Sequence, residues 1–132
     1  MGTRSTITFT ENEEKLCKIY QQYDGYLDGV GKDLAEFLQS GKLVNGITMG
    51  ESDKVFNGAG CLVAQFISEN KTSAGGLYVI PLNSEDEEYN YIVNVKTNND
   101  FLNFKGGILI SCDQLGYGKF YTPEKFLEKI ED

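Results

Sequence analysis

The chain contains a single arginine, Arg4, in the opening segment Met1-Gly2-Thr3-Arg4-Ser5. A guanidinium is always charged and suits two-point contact with phosphate or carboxylate. Flanked by the hydroxyls of Thr3 and Ser5, Arg4 reads either as an anion contact or as a solvated N-terminal residue or surface ion pair. A second segment is Tyr23-Asp24-Gly25-Tyr26-Leu27-Asp28-Gly29-Val30-Gly31, which runs into an apolar-striped stretch. Glycines such as Gly25, Gly29 and Gly31 let backbone approach a ligand, and free N–H groups at a helix start attract anions. Tyr23 and Tyr26 could stack on a base or ribose beside Asp24. The segment is neither a P-loop, since no Gly-Lys-Ser/Thr follows, nor an EF-hand. Its other reading is a structural turn. A third segment, Asn57-Gly58-Ala59-Gly60-Cys61, is again a glycine-rich helix start. Asn57, Gly58 and Gly60 fit either a ligand or close packing of helix on sheet, and the ligand reading gains weight only if both helix starts converge on one cleft.

Other chemistry is scarce. There is no histidine, which removes the usual base and a common metal ligand. Cys17, Cys61 and Cys112 lie far apart in apolar stretches with no CxxC spacing. They read as buried reduced thiols, and no metal site or cofactor is expected. No carboxylate pair stands at a catalytic spacing. Gly116-Tyr117-Gly118-Lys119 presents a tyrosine and a lysine on a segment able to close over a ligand or simply to connect two elements.

The elements that must position these residues follow from apolar periodicity. Residues 4–10 alternate as a strand with Ile7 and Phe9 on one face. A charged turn at 11–14 leads to a second strand marked by Leu16, Ile19 and Tyr20, which predicts a hairpin. Val30, Leu34, Phe37 and Leu38 form a helical stripe that Gly41 would stop, and residues 42–57 read as loop. Ala59, Leu62, Val63, Phe66 and Ile67 mark a second helix with Asn57 as its cap. Strands are predicted at 77–82, 89–96, 101–104 and 108–111, with 83–88 an acidic turn. Thr122 and Pro123 start a last helix carrying Phe126, Leu127 and Ile130. The 132 residues suffice for a single α+β domain with a largely antiparallel sheet of about six strands and about three helices on one face.

Twelve basic against twenty acidic residues give a formal charge of −8. That balance argues against long nucleic acid and anionic membranes as partners. No apolar run reaches the roughly 18 residues of a membrane span, and no apolar leader opens the chain, so a cytoplasmic protein is expected.

The opening Met1-Gly2-Thr3-Arg4-Ser5, together with residues 19–26, 29–31 and 57–61, resembles a family of small phage, prophage and bacterial proteins of unassigned activity. The resemblance covers about the first half of the chain. It implies a phage anti-defence role in the host bacterial cytoplasm: a homo-oligomer that binds and sequesters a nucleotide-derived immune signal, such as a cyclic ADP-ribose or cyclic oligonucleotide, without cleaving it. Arg4 would contact phosphate, the backbone at 25–31 would cradle it, and a glycine-loop tyrosine would stack on the base. A dimer would let one subunit's Arg4 reach a ligand held by the other's loop. The alternative is an acidic protein–protein interaction module, with residues 85–88 facing a basic partner and inhibiting a host protein. Ligand degradation fits least, for want of histidine.

Overall fold

A computed structural model of the chain describes residues 2–44, 54–98 and 106–131. β1 (Ser5–Glu11) and β2 (Glu14–Gln21) form the expected hairpin. Asn12 and Glu13 both take positive φ, 50° and 72°, which is the two-residue turn whose twist matches a hairpin. A bulge after Phe9 pairs Thr10 with Lys15 and leaves Leu16 unopposed and exposed. A π-helical turn over Leu27–Gly31 then leads directly into α1 (Lys32–Gln39).

Two short parallel strands, β3 (Lys42–Val44) and β4 (Val55–Asn57), stand where a loop is predicted. The reason is tertiary: Phe56 is fully buried, with its ring 5.2 Å from that of Phe37. Gly41 follows α1 as expected, but its role is packing, since an added Cβ would lie 2.8 Å from the Phe56 ring. α2 (Gly58–Asn70) leads to β5 (Leu77–Ile80), then β6 (Tyr89–Lys96), β7 (Gly107–Cys112) and α3 (Pro123–Glu131). Thr122 caps α3 as the sequence predicts, its Oγ1 accepting from the Lys125 amide at 3.3 Å. The strand predicted at 101–104 lies outside the described residues.

The main sheet has the order β5-β2-β1-β6-β7 and is mixed. Three of its pairings are antiparallel, while β1 and β6 run parallel, Ser5 opposite Tyr89 through Glu11 opposite Val95. The fold is therefore α+β, with five strands in one sheet and two in another among the described residues. Residues 83–88 are not a hairpin tip, because β5 and β6 are not neighbours. The chain leaves one edge and crosses β2 and β1 to reach β6. That is three strand spacings, roughly 14 Å, well within the reach of eight residues.

The core lies on one face of the sheet. Ile7, Phe9, Ile19, Tyr91, Val93, Val95, Ile110 and Cys112 point into it, and Leu34, Phe37, Leu62, Phe66 and Phe126 cover them from the helices. Phe66 packs at 5.6 Å from Phe9 and 5.3 Å from Phe37, in the tilted and edge-on arrangements favoured by ring quadrupoles. Among the described residues no helix is long and apolar enough to cross a membrane.

Burial raises the Tyr91 phenol far above its ordinary value and pushes the Cys112 thiol up to about 12. Unfolded, that thiol ionises near its ordinary 9.0. Between these two values the unfolded chain has lost a proton that the folded chain keeps, so stability is present below pH 9 and falls as pH rises. The slope expected from one such group is about 1.4 kcal/mol per pH unit. Calorimetric melting from pH 8 to 11 should show a steadily falling Tm, less steep in Cys112→Ala; an unchanged Tm would contradict the burial account.

Candidate functional site

The three segments singled out by the sequence do not assemble into one site. Gly25 lies against the start of β1, where an added Cβ would sit 2.7 Å from Ser5 Cβ and 2.9 Å from the Thr3 carbonyl. Gly58 lies beside Glu11 at the other end of β1. Seven strand residues separate the two helix starts by roughly 20 Å. They do not converge.

Four amides of the Gly25–Gly31 segment are also engaged. Gly25 N–H donates to the Thr3 carbonyl at 2.9 Å, Val30 N–H to Asp24 at 2.8 Å, and both Gly29 and Gly31 N–H to Tyr26. The Tyr91 hydroxyl donates to the Gly25 carbonyl at 2.7 Å, tying the segment to the core. Gly29 is pressed on the Asp24 carbonyl, and Gly31 on the Tyr91 ring. These glycines permit close packing, and their N–H groups are not free to cradle an anion. Asp24 sits at φ 58° and its carboxylate accepts from the Tyr26 hydroxyl at 3.2 Å, which raises the Tyr26 phenol chiefly by charge repulsion on ionisation. Tyr23 and Tyr26 are exposed.

Arg4 is half exposed and approaches Glu87 at 3.9 Å. Ser5 is fully buried, its hydroxyl without a hydrogen-bond partner among the described residues. Asn57 makes no side-chain cap of α2. Glu11 takes that role, its carboxylate accepting from the Ala59 amide at 3.2 Å near a helix start that favours negative charge. Gly58 takes φ 81° to enter the helix, and Gly60 is exposed.

The face of the sheet away from the helices holds a different candidate. Along β1 the threonines Thr6, Thr8 and Thr10 alternate with the core residues, and Lys18, Asn90, Ile92, Asn94 and Ser111 join them from the neighbouring strands. This face is not bare, since Thr6, Thr10, Lys18, Asn94 and Ser111 are all buried. Residues 81–88 cover part of it during their crossing, and the connection after β7 covers another part. Between these two roofs is a cleft of about 200 Å³, whose lining includes Thr6, Thr8, Lys18 and Ser111 together with Asp86, Asp113 and Tyr117. A more apolar groove of about 410 Å³ adjoins it, sharing Thr10, Lys15 and Ile92 and adding Leu109 and Phe120.

Polar side chains hold the roofs in place. The Asn90 carboxamide uses its full capacity: its oxygen accepts from Thr6 Oγ1 at 2.6 Å and the Glu87 amide at 2.9 Å, and its nitrogen donates to the Glu87 carbonyl and Asp113 Oδ2, both at 2.8 Å. Thr10 and Asn94 repeat the rung at 2.6 Å. Lys18 Nζ donates to the Ser84 carbonyl at 2.6 Å and to Asp86 at 3.2 Å. Gly116 and Gly118, at φ 111° and 74°, turn the second roof so that Tyr117 is 86% exposed beside the cleft. The Tyr117 segment stands out in the sequence, but the site does not. A signal existed in Thr6/Thr10 and Asn90/Asn94, two pairs spaced by four in alternating strands, but only the parallel register of β1 on β6 makes them partners. No group of three or more Cys, Asp or Glu able to hold a metal ion occurs among the described residues.

Comparison with known proteins gives no match to a protein-family model, to a curated protein or to a solved structure.

Three substitutions probe these assignments. Gly25→Ala is expected to cost about 2 kcal/mol or more by overpacking against β1, read as a lowered denaturant midpoint, whereas Arg4→Ala stays within about 0.5 kcal/mol. Asn90→Ala is expected to cost roughly 2–3 kcal/mol and to speed amide exchange at residues 84–88, because it removes the partners of Thr6 Oγ1 and Asp113 Oδ2 and releases the crossing segment. Unchanged exchange there would show that the segment is held by something else.

Proposed function

We propose that the protein binds a small nucleotide-derived anion in the cleft on the helix-free face and sequesters it without cleaving it, as a phage anti-defence protein would in the host bacterial cytoplasm. The observation that carries this reading is the cleft itself. Its lining combines the hydroxyls of Thr6, Thr8, Thr10 and Ser111 with two lysines, Lys15 and Lys18, beside Asp86, Asp113 and the apolar Leu82 and Ile92, and it includes the exposed Tyr117. Hydroxyls and carboxamides suit a ribose, and a tyrosine face suits a base. Lys15 lines both cleft and groove and has no ion pair among the described residues, which leaves its charge available to phosphate. Cleft and groove together reach the size class of small-molecule sites, roughly 300–1,000 Å³.

Binding is favoured over catalysis because both bordering carboxylates are committed, Asp86 to Lys18 and Asp113 to Asn90. Neither is placed as a free general base. The resemblance of the N-terminal half to phage and prophage proteins supports the biological setting. Homo-oligomerisation belongs to the same proposal. Of the two sheet edges, β7 exchanges backbone hydrogen bonds with Tyr121, while β5 presents exposed Tyr78 and Val79.

Calorimetric titration against cyclic oligonucleotides and ADP-ribose derivatives tests the reading. At least one is expected to bind and to be recovered unaltered after heat denaturation of the protein. Tyr117→Ala and Lys15→Ala should each weaken it about tenfold, by loss of a stacked ring or a charge-assisted hydrogen bond. Arg4→Ala should change it less than about threefold, as its guanidinium does not line the cleft. No binding across the panel, or recovery of a cleaved product, would overturn the proposal.

A further inference from the structure

Lys18 is a cation in an unusual position. Its side chain is only 6% exposed, and it lies at the centre of the sheet face opposite Thr8. An ammonium has three protons to donate. Lys18 Nζ has two acceptors among the described residues, the Ser84 carbonyl and Asp86 Oδ1. A buried charge is ordinarily fully hydrogen-bonded, because each unmet donor costs desolvation without return. The remaining capacity belongs to a side chain that lines the cleft, together with the hydroxyls of Thr6, Thr8 and Ser111.

The partner carboxylate differs in kind. Asp86 is 66% exposed and sits on the crossing segment. Water can take over its solvation at small cost, whereas Lys18 has no such exit. A carboxylate and a phosphate oxygen make the same charge-assisted hydrogen bond to an ammonium. With Asp86 turned outward, Lys15 and Lys18 would face one bordering carboxylate, Asp113, already bonded to Asn90.

We propose that Lys18 is the anion-binding residue of the cleft and that Asp86 is its internal competitor, displaced when a phosphate-bearing ligand enters. The Asp86 side chain thereby serves as a gate whose closed form is the anion-free one, while the Ser84 and Glu87 bonds keep the crossing segment in place. The inference rests on the helix-free cleft being the binding site, and not on the ligand being a nucleotide.

Amide NMR titration of the full chain with inorganic pyrophosphate tests it. Saturable shifts are expected at Thr6, Thr8 and Ser111. Asp86→Asn keeps the size of the side chain but removes the competing charge, and should tighten pyrophosphate binding several-fold, about fivefold. Lys18→Met should weaken it at least about tenfold, the effect of one lost hydrogen bond between charged groups. The Lys18→Met variant strands no buried charge, since Asp86 is already at the water's edge, and its spectrum reports directly that it is folded. Absence of cleft shifts in both the native chain and Asp86→Asn would overturn the inference. So would native affinity in Lys18→Met, or weaker binding in Asp86→Asn. The nucleotide panel separates the two proposals. Pyrophosphate bound through Lys18 with no nucleotide bound supports the gate and removes the nucleotide function; nucleotide binding indifferent to Lys18→Met removes the gate and leaves that function standing.

Discussion

The parallel pairing of β1 with β6 is the constraint from which the rest of the molecule follows. β5 runs parallel to β1 through their shared neighbour β2, so the chain ends β5 pointing the same way as β6 must begin. A tight turn cannot join such strands. The connection has to travel back over the sheet, and the helices already occupy one face. Residues 81–88 therefore cross the other face and bury side chains that would otherwise be solvated.

That crossing explains a buried charge where burial is expensive, since Ser84 and Asp86 meet Lys18. Thr6, Thr10 and Asn94 on the same face are buried too, and all three have hydrogen-bond partners. The Thr–Asn rungs arise because parallel register sets Thr6 against Asn90 and Thr10 against Asn94. Asn90 then fastens both roofs at once, one through Glu87 and the other through Asp113. The acidic character of residues 85–88 is partly local bookkeeping of charge, since Asp86 answers Lys18 and Glu87 answers Arg4. The glycine-rich segment before α1 serves the opposite face. Tyr91 reaches from β6 through the core to hold the Gly25 carbonyl, and the small residues let that segment sit against β1. What reads in sequence as a ligand cradle is the seam between hairpin and helix.

How far the sequence reveals each element depends on the range of the forces involved. The β1–β2 hairpin, the stripe of α1, the second helix and the Thr122 cap were legible because neighbouring residues decide them: strand alternation, a two-residue turn, apolar residues three and four apart, a hydroxyl one turn ahead of its amide. The pair β3–β4 was not, because three-residue strands carry no periodicity, and burial of Phe56 against Phe37 is what fixes them. The Asn57 cap was misassigned for a related reason. Glu11, 48 residues away, supplies the carboxylate that meets the Ala59 amide.

By itself the sequence determined the α+β class, the apolar core faces, and the absence of histidine chemistry, since composition and short-range spacing are sufficient for each. It also supplied the threonines of one strand and the paired asparagines of another, without saying that they meet. The tertiary structure alone decided the strand order, and with it which polar face is roofed, where Lys18 is buried, and that the two glycine-rich segments stand at opposite ends of β1. Strand order depends on pairings across more than eighty residues, such as Thr6 with Asn90, and on which sheet face the helices cover. Those are global packing choices, and no local pattern of residues encodes them.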